Sequence, residues 1–279
     1  MTVRELLSRG RALLREAGVP GADHDAGELL AAVLREERLR LIFRSGETVP
    51  EDQFARYMSF IRRRADGEPL QYILGEAPFY GHMYRVRPGV LIPRFDTEAV
   101  CEAAVALVTP GTRDVLDLCA GSGILGIELS LRFPSLRVTC ADISPEAISL
   151  TEENAARLGA RVTVKRGDLF GAVPGESFDL IVSNPPYIPR GALDGLEREV
   201  RREPRLALDG GEDGMDLYRR ILHGLKPALR PGGALCLECS EDQAGLLEES
   251  IRPRFEETGL IRDVSGHLRG VRGRGFCDR

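Results

Sequence analysis

Apolar residues in the first quarter of the chain recur at intervals of three and four, the spacing of an amphipathic helix. Gly18 and Pro20 interrupt the series, and a later stretch begins after Pro50, where Glu51 and Asp52 would lie near the positive end of a helix dipole. The spacing predicts a small helical bundle over residues 1–75. The positions that carry it are Val3, Leu6, Leu7, Leu13, Leu14, Leu29, Leu30, Val33, Leu34, Phe54, Tyr57, Met58 and Ile61.

The pattern changes between residues 67 and 95, where prolines and glycines interrupt the apolar residues. Pro78, Gly81, Gly89 and Pro93 are typical of turns and extended chain. Residues 79–86 lie between these interruptions, and their aromatic and β-branched side chains predict a short β-hairpin within a linker.

From about residue 96 onward, helical spacing alternates with short apolar runs. Such alternation predicts an α/β fold, a doubly wound Rossmann-like parallel sheet with helices on both faces. Asp96 or Thr97 is the expected cap of the first helix, and the chain beyond Gly259 is expected to add an antiparallel edge. The predicted domains are therefore 1–75, a helical bundle, and 76–279, the hairpin linker with the sheet. Helices are predicted over 96–108, 124–133, 144–158 and 216–229, and strands over 114–118, 137–141, 162–164, 180–182 and 234–238.

Composition narrows the classes of function. The net charge of −5 opposes a protein that coats nucleic acid, because phosphate binding needs concentrated positive charge. No apolar run is long enough to cross a membrane and the first residues carry no apolar leader, so we expect a cytoplasmic protein without membrane contact. No metal site is expected. The histidines are isolated, and Cys236 and Cys239 lie three apart on a predicted strand, where their side chains would point to opposite faces.

A glycine-rich turn follows the first predicted strand of the second domain. Gly121, Gly123 and Gly126 satisfy the GxGxxG spacing that lets a backbone approach a nucleotide. Asp142, at the end of the next strand, is suited to the two ribose hydroxyls of an adenosine. Asp168, beside the apolar Leu169, is suited to adenine. A dinucleotide and S-adenosylmethionine both fit this arrangement.

Asp117 distinguishes between these two cofactors. It lies four residues before Gly121, at the end of the strand, where its negative charge would repel a pyrophosphate. The same charge would attract the ammonium and sulfonium groups of S-adenosylmethionine, which we therefore favour.

The segment Asn184-Pro185-Pro186-Tyr187 follows the fourth predicted strand, so it belongs at the sheet edge where ligands bind. Two successive prolines hold the chain extended and leave backbone carbonyls without local donors. Together with the Asn184 carbonyl and the flat ring of Tyr187, these acceptors would suit a planar NH2 group.

These motifs resemble those of class I methyltransferases that act on planar amide or exocyclic nitrogens, and in particular the HemK/PrmC-type release-factor glutamine methyltransferases. The resemblance spans nearly the whole chain. It departs at Phe95, where the family usually has proline, and at Cys119 and Ala120, where Gly-Thr is commoner. The segments that carry it are 71–81, 91–98, 117–123, 184–187 and 203–214.

The resemblance implies transfer of a methyl group from S-adenosylmethionine to the N5 nitrogen of the glutamine in the GGQ motif of class 1 peptide chain release factors. The implied catalytic residues are Asn184, Pro185, Pro186 and Tyr187. The implied cofactor-binding residues are Asp117, Cys119, Ala120, Gly121, Ser122, Gly123, Asp142, Asp168, Leu169 and Asn184.

Other functions share parts of this pattern. A methyltransferase for a glutamine of a ribosomal protein would carry the same 184–187 segment, and one for an exocyclic amine of nucleic acid would need a basic recognition region. A binding module that holds the cofactor without catalysis is the alternative from another class. We expect release factors as protein substrate, no sequence-specific nucleic-acid binding, and a contribution of the helical domain to recognition.

Overall fold

Helices form the first structural unit, as their spacing predicts. In the computed structural model, which describes residues 1–277, they are α1 (Val3–Glu16), α2 (Ala22–Leu34), α3 (Glu51–Ala65) and α4 (Leu70–Leu74). Thr2 and Glu5 begin α1 with a reciprocal cap, in which the Thr2 hydroxyl accepts the Glu5 N–H and the Glu5 carboxylate accepts the Thr2 N–H. The last two residues of the predicted second domain, 278 and 279, lie outside the described range.

The apolar stripes of these helices meet in one core. Leu6, Leu29 and Leu30 are fully buried in it. Tyr57 is also fully buried, and its hydroxyl donates to the carbonyl of Ala26 at 3.2 Å, so its polar end has a partner. The predicted bundle is thus confirmed, with α3 packed across α1 and α2.

A distant segment completes this unit. Residues Glu197–Arg202 cluster with Met1–Glu76, although the predicted first domain does not contain them. Arg64, buried on α3, donates to Asp25 at 2.7 Å and to Glu199 at 2.5 Å. This charge needs both acceptors, because an unpaired buried guanidinium is costly.

A hairpin is present where one was predicted over 79–86, but it begins three residues earlier, with strands β1 (Glu76–Phe79) and β2 (His82–Arg85). Tyr80 and Gly81 form the turn, with φ of 49° and 82°. Two successive positive φ values are what a tight two-residue hairpin turn requires, and glycine adopts them readily.

The second unit, Ala77–Leu196 with Glu203–Arg279, contains the predicted sheet. Seven strands pair in the order β5-β4-β3-β6-β7-β9-β8, parallel except for β9 and β8 at one edge. The expected antiparallel edge is therefore present. The strands are β3 (Asp114–Leu118), β4 (Arg137–Asp142), β5 (Val162–Arg166), β6 (Phe178–Ser183), β7 (Leu229–Glu238), β8 (Phe255–Arg262) and β9 (Leu268–Phe276). The helices are α5 (Thr97–Leu107), α6 (Ile124–Arg132), α7 (Pro145–Leu158), α8 (Asp216–Ala228) and α9 (Glu241–Ile251).

Alternate side chains of the central strands enter two separate apolar cores. Leu235 and Leu237 of β7 pack in the core that contains α8 and α9. Ala234 and Cys236 of the same strand pack in the core that contains α5 and α6. Helices therefore cover both faces of the sheet, and polar ligand-binding groups are confined to the strand ends.

The carboxyl ends of the strands lie side by side. Leu118 of β3 is in register with Ala141 of β4 and with Ser183 of β6. The loops that follow these three strands consequently emerge next to one another. The glycine turn and Asn184 lie in the loops after β3 and β6, and Asp142 is the last residue of β4.

The expected capping of α5 by a side chain needs correction. Asp96 does occupy the capping position of α5, but within residues 1–277 its side chain makes no capping hydrogen bond. Thr97 is the first residue of the helix, and its hydroxyl is used elsewhere in the fold. Among the described residues, no helix has the length and apolar character needed to cross a bilayer.

The buried ion network of the first unit makes a testable prediction. Replacing Arg64 with leucine leaves Asp25 and Glu199 without their cation, so we expect a loss of about 3–5 kcal/mol in the free energy of unfolding. Urea denaturation measures the loss, and hydrogen exchange should show faster opening of residues 197–202.

Arg63 supplies the matched control. It is the neighbouring residue of α3, and its guanidinium pairs with Glu68 in a partly exposed position. Arg63→Leu should therefore cost no more than about 1 kcal/mol. Equal losses of unfolding free energy in the two variants would contradict the expectation that the buried ion pairs of Arg64 stabilise the fold more than the partly exposed pair of Arg63.

Candidate active site

A cavity of about 240 Å³ opens at the carboxyl ends of β3, β4 and β6. Its walls come from the glycine loop after β3, from the strand ends and from the segments 89–94 and 204–209. All of these belong to the second unit. The position agrees with the rule that ligands of doubly wound sheets bind beyond the strand carboxyl ends.

The glycine loop is held in a fixed shape by hydrogen bonds. The Gly121 N–H donates to Asp142 Oδ2 at 2.9 Å, and the Gly121 carbonyl accepts from the Thr151 hydroxyl at 3.0 Å. Gly121 has φ of 58°, as the tight turn requires. Cys119 has φ of 57° without being glycine, so this loop carries some backbone strain beside the cavity.

Asp117 gives the cavity a buried negative charge. Its side chain is 1% exposed and lies against α6, where Oδ2 accepts the Gly126 N–H at 2.8 Å. The other oxygen, Oδ1, is buried and has no hydrogen-bond partner within residues 1–277. Burial, reinforced by the charge of Asp142, raises the pKa of Asp117 to about 7. A cationic ligand group would supply the missing partner.

Asp142 links the loop to the next strand. Its two oxygens accept the N–H groups of Gly121 and Ser144, each at 2.9 Å. Burial raises the pKa of Asp142, and these hydrogen bonds oppose that shift. Each carboxylate oxygen keeps a second lone pair, so the group can still accept hydroxyl hydrogens from a ligand.

Asp168 lies at the outer end of the cavity in a different environment. It is half-exposed, and its carboxylate accepts from Arg220 of α8 at 2.7 Å. Leu169 follows with φ of 48° and is buried, so it presents an apolar surface beside the ion pair. A flat ring with an amine at its edge would fit between these groups.

The segment after β6 presents Asn184 in a defined orientation. Asn184 Nδ2 donates to the hydroxyl of Thr97 at 3.4 Å, which directs Oδ1 away from Thr97. Tyr187 is anchored at both ends, since its carbonyl accepts from Gln243 at 2.9 Å and its hydroxyl donates to Glu238 at 3.5 Å. Hydrogen bonds with side chains of α5, β7 and α9 therefore fix the position of this segment.

Most residues predicted for the site line this cavity, as the described part of the chain defines it. Those that do are Asp117, Cys119, Ala120, Gly121, Ser122, Asp142, Asp168, Leu169, Asn184 and Pro186. Gly123, Pro185 and Tyr187 do not. Gly123 instead is the N-cap of α6, with φ of 83°, and a Cβ there would come within 2.8 Å of Thr151. The catalytic and cofactor-binding roles assigned to all these predicted residues stay predictions.

Several residues around the site were not predicted from the sequence to belong to it. Thr97, Arg220 and the segment 89–94 line the cavity, and buried Glu203 binds the Ile92 N–H at 2.9 Å and the Arg94 guanidinium. Glu203 thereby joins two walls of the cavity. Leu91–Glu98 and the residues from Glu203 onward do carry the family resemblance. These two motifs could therefore have been used to predict that their residues belong to the site.

Two family models match the chain. The PrmC N-terminal domain matches residues 5–75, and the methyltransferase small domain matches residues 102–197. The chain is also similar to curated proteins called release factor glutamine methyltransferase. The one from Geobacter sulfurreducens is 42% identical over 98% of this chain and 96% of its own length, and the one from Moorella thermoacetica is 42% identical over 96% and 97%.

Two solved structures share the fold. A methyltransferase from Pyrococcus furiosus has a TM-score of 0.52 at 18% identity, covering 71% of this chain and 91% of its own. A 16S rRNA N2 G1207 methyltransferase from T. thermophilus, solved with AdoMet and guanosine, has a TM-score of 0.50 at 21% identity, covering 71% and 49%. At these identities the likeness concerns the fold alone, and it confirms the predicted Rossmann-like class.

The close approach of α6 to Asp117 gives a prediction about Gly126. A Cβ at this position would collide with the Cys140 sulfur and lie 3.1 Å from Asp117 Oδ2. We expect Gly126→Ala to lower the free energy of unfolding by about 1–3 kcal/mol through overpacking, measured by urea denaturation.

Gly245, exposed on α9, is the matched control because a Cβ there would enter open space among the described residues. Gly245→Ala should raise the free energy of unfolding by about 0.5–1 kcal/mol, the helix preference of alanine over glycine. A stabilising Gly126→Ala would contradict the packing described here.

Proposed function

The chain belongs to the release factor glutamine methyltransferase family, and on that premise we propose that it transfers a methyl group from S-adenosylmethionine to the N5 nitrogen of the GGQ glutamine in class 1 peptide chain release factors. The observation that carries the proposal is the position of Asn184. Its side-chain oxygen is directed away from Thr97, on a segment that lies beside a cavity with a buried, partly unpaired carboxylate.

The cavity residues fit S-adenosylmethionine from one end to the other. Asp117 Oδ1 lacks a hydrogen-bond partner within the described chain and would pair with the ammonium group. Asp142 would accept the ribose hydroxyls with the lone pairs that Gly121 and Ser144 leave free. Leu169 would pack on adenine, and Asp168 would accept its amine, in competition with Arg220.

The glutamine amide would be held by the 184–187 segment, of which Asn184 and Pro186 line the cavity. Asn184 Oδ1 and the Pro185 carbonyl would each accept one N–H of the NH2 group, which is planar and has two hydrogens to donate. Tyr187 would contact the face of the amide. This arrangement would point the nitrogen lone pair toward the cofactor end of the cavity.

Orientation is the main contribution that these residues can make. An amide nitrogen is a poor nucleophile because its lone pair is delocalised into the carbonyl. When bound, the cofactor supplies an electrophilic methyl group whose bond to sulfur breaks as the bond to nitrogen forms, leaving a neutral thioether. Fixed acceptors align the nitrogen for this in-line displacement, and the alkylated nitrogen then loses a proton to water.

The helical unit is proposed to recognise the release factor. Leu39, Ile42 and Phe43 project from one helical turn of this unit and are 72–86% exposed. A cluster of large apolar side chains in water is typical of a surface that binds another protein. This unit consists of residues 1–76 and 197–202, and both segments are included in the proposed recognition unit.

Incubation with methyl-labelled S-adenosylmethionine tests the proposed function. A class 1 release factor should become labelled on the GGQ glutamine, detected by mass spectrometry of the peptide. Ribosomal proteins and RNA offered in parallel should stay unlabelled. Asn184→Ala should lower kcat at least about a hundredfold, the order expected when orientation is lost, while calorimetry still detects cofactor binding.

Label confined to RNA, DNA or a ribosomal protein would reject the release factor as substrate. Full activity of Asn184→Ala would show that the amide is oriented by other groups.

Cofactor affinity should depend on the ionisation of Asp117. Burial raises the pKa of this group to about 7, and only its charged form pairs with an ammonium. Between pH 7 and 5 the affinity should therefore fall up to about tenfold for each pH unit, because one proton must leave on binding. An α-amino group, with a pKa of about 7.7–8.0, stays protonated over this range.

Titration calorimetry at several pH values measures the effect. Asp117→Asn should bind more weakly than the wild type at pH 7 and show a much smaller dependence on pH. An affinity that is constant between pH 5 and 7 in the wild type would contradict the assigned role of Asp117.

A further inference from the structure

A buried carboxylate holds one of the cations of the cavity in place. Glu203 is 4% exposed, and its Oε2 accepts the Ile92 N–H at 2.9 Å. Its Oε1 accepts from the guanidinium of Arg94, so a single side chain is bonded to two residues of the 89–94 wall. The side chain of Arg94 is only partly exposed, and the residue lines the cavity. Its position there is fixed by Glu203.

Arg94 can bind a second anion while it stays bonded to Glu203. A guanidinium carries five N–H hydrogens in a planar fork, and one carboxylate in the paired geometry uses two of them. The other N–H groups can donate to a ligand in the cavity. The fork matches the two oxygens of a carboxylate, so an anion of this shape is the ligand that Arg94 suits best.

Hydrogen bonds place Arg94 near Asn184. The Arg94 carbonyl accepts the Thr97 N–H at 3.2 Å, and the Thr97 hydroxyl accepts from Asn184 Nδ2 at 3.4 Å. Arg220 has a different position, because it is paired at 2.7 Å with Asp168, the residue proposed to bind adenine. Arg94 is therefore the cation on the side of the cavity where methyl transfer is proposed.

The charges around the cavity restrict where an anionic ligand group can bind. S-adenosylmethionine has a sulfonium, an ammonium and a single anionic group, the carboxylate of its methionine part. Aspartates would repel this carboxylate, so it needs a cation. Arg220 already has Asp168 as its partner, and Arg94 remains. Within the described chain, the charged residues that line the cavity are Asp117, Asp142, Asp168, Asp209, Arg94 and Arg220.

We propose that Arg94, held by Glu203, is the residue that binds the carboxylate of the methionine part of S-adenosylmethionine. This inference rests on the cofactor of the proposed function. The methionine part would then have a partner of opposite charge for each of its ends, Asp117 for the ammonium and Arg94 for the carboxylate. Such a pair makes the site specific for a nucleoside that carries an amino acid, and it disfavours adenosine alone.

Decarboxylated S-adenosylmethionine tests the contact directly, because it keeps the sulfonium and the amine and lacks the carboxylate. In titration calorimetry at pH 7, the wild type should bind S-adenosylmethionine about ten- to hundredfold more tightly than the decarboxylated compound, the range expected for a charged hydrogen-bonded pair. Arg94→Leu should lose about this factor in affinity for S-adenosylmethionine. It should lose no affinity for the decarboxylated compound, which has no anion for Arg94 to bind.

Two further variants separate the contact from damage to the fold. Arg94→Leu leaves the buried Glu203 without this cation, so the double variant with Glu203→Gln removes both charges together. It should show the same loss of preference for S-adenosylmethionine. Arg94→Lys keeps the charge without the fork and should recover part of the preference. General damage to the cavity would instead lower the affinity for both compounds by the same factor.

Arg137→Leu is the matched control. Arg137 also donates to a carboxylate, since its guanidinium contacts both oxygens of Asp114, but it lies outside the cavity. Its replacement should leave both affinities, and hence their ratio, unchanged.

Turnover gives a second and independent measurement. The carboxylate takes no part in bond formation, so Arg94 would bind it equally in the ground state and in the transition state. Arg94→Leu should therefore raise KM for S-adenosylmethionine by about the factor found in calorimetry, while kcat at saturating cofactor and KM for the release factor change little. A higher KM for the release factor with wild-type cofactor affinity would show that Arg94 binds the protein substrate, and it would overturn the inference.

The binding results decide the inference without any protein substrate. A wild type that binds the two compounds equally would overturn it, as would an Arg94→Leu variant that keeps the wild-type preference. A wild type that prefers S-adenosylmethionine through Arg94 but methylates another protein would support the inference and reject only the proposed substrate. Absence of S-adenosylmethionine binding would overturn both.

Discussion

Coverage of the sheet by helices on both faces is the constraint on which the site depends. Most interior positions of β3, β6 and β7 point into one of two apolar cores, so charged groups are excluded from most of the sheet. The strand ends are the exceptions. Because parallel strands end at one edge, the loops after β3, β4 and β6 bring their polar groups to one cavity without any loop having to be long.

Asp117 and Glu238 both lie where a strand passes from core to edge, and both are almost completely buried. Burial raises the pKa of each to about 7, yet the neighbours of the two carboxylates differ. Asp117 accepts one backbone N–H, and among residues 1–277 its other oxygen has no hydrogen-bond partner beside the cavity. Glu238 accepts the hydroxyl hydrogen of Tyr187 at 3.5 Å, so its charge is directed at one of the protein's own residues.

The sequence predicted the sheet well because strands buried on both faces appear as short apolar runs, and β3 lies where its run predicts. The glycine loop and the 184–187 segment were also predictable, since both follow strand ends. Thr97 was expected as a cap, yet its hydroxyl accepts from the side-chain amide of Asn184 instead, which is a tertiary contact. Such contacts join residues from separate strands and helices, and no local spacing in the sequence indicates them.

The membership of Glu197–Arg202 in the helical unit has a consequence for how the chain is made. Arg64 and Glu199 are separated by 135 positions, so the ion pair forms only after the intervening chain has been translated. At about 5–20 residues per second, the nascent bundle spends roughly 7–27 seconds with Arg64 lacking one of its acceptors. The bundle should therefore reach its final stability late in synthesis, and a nascent-chain pulling assay should show its last folding step only once residue 202 has left the exit tunnel.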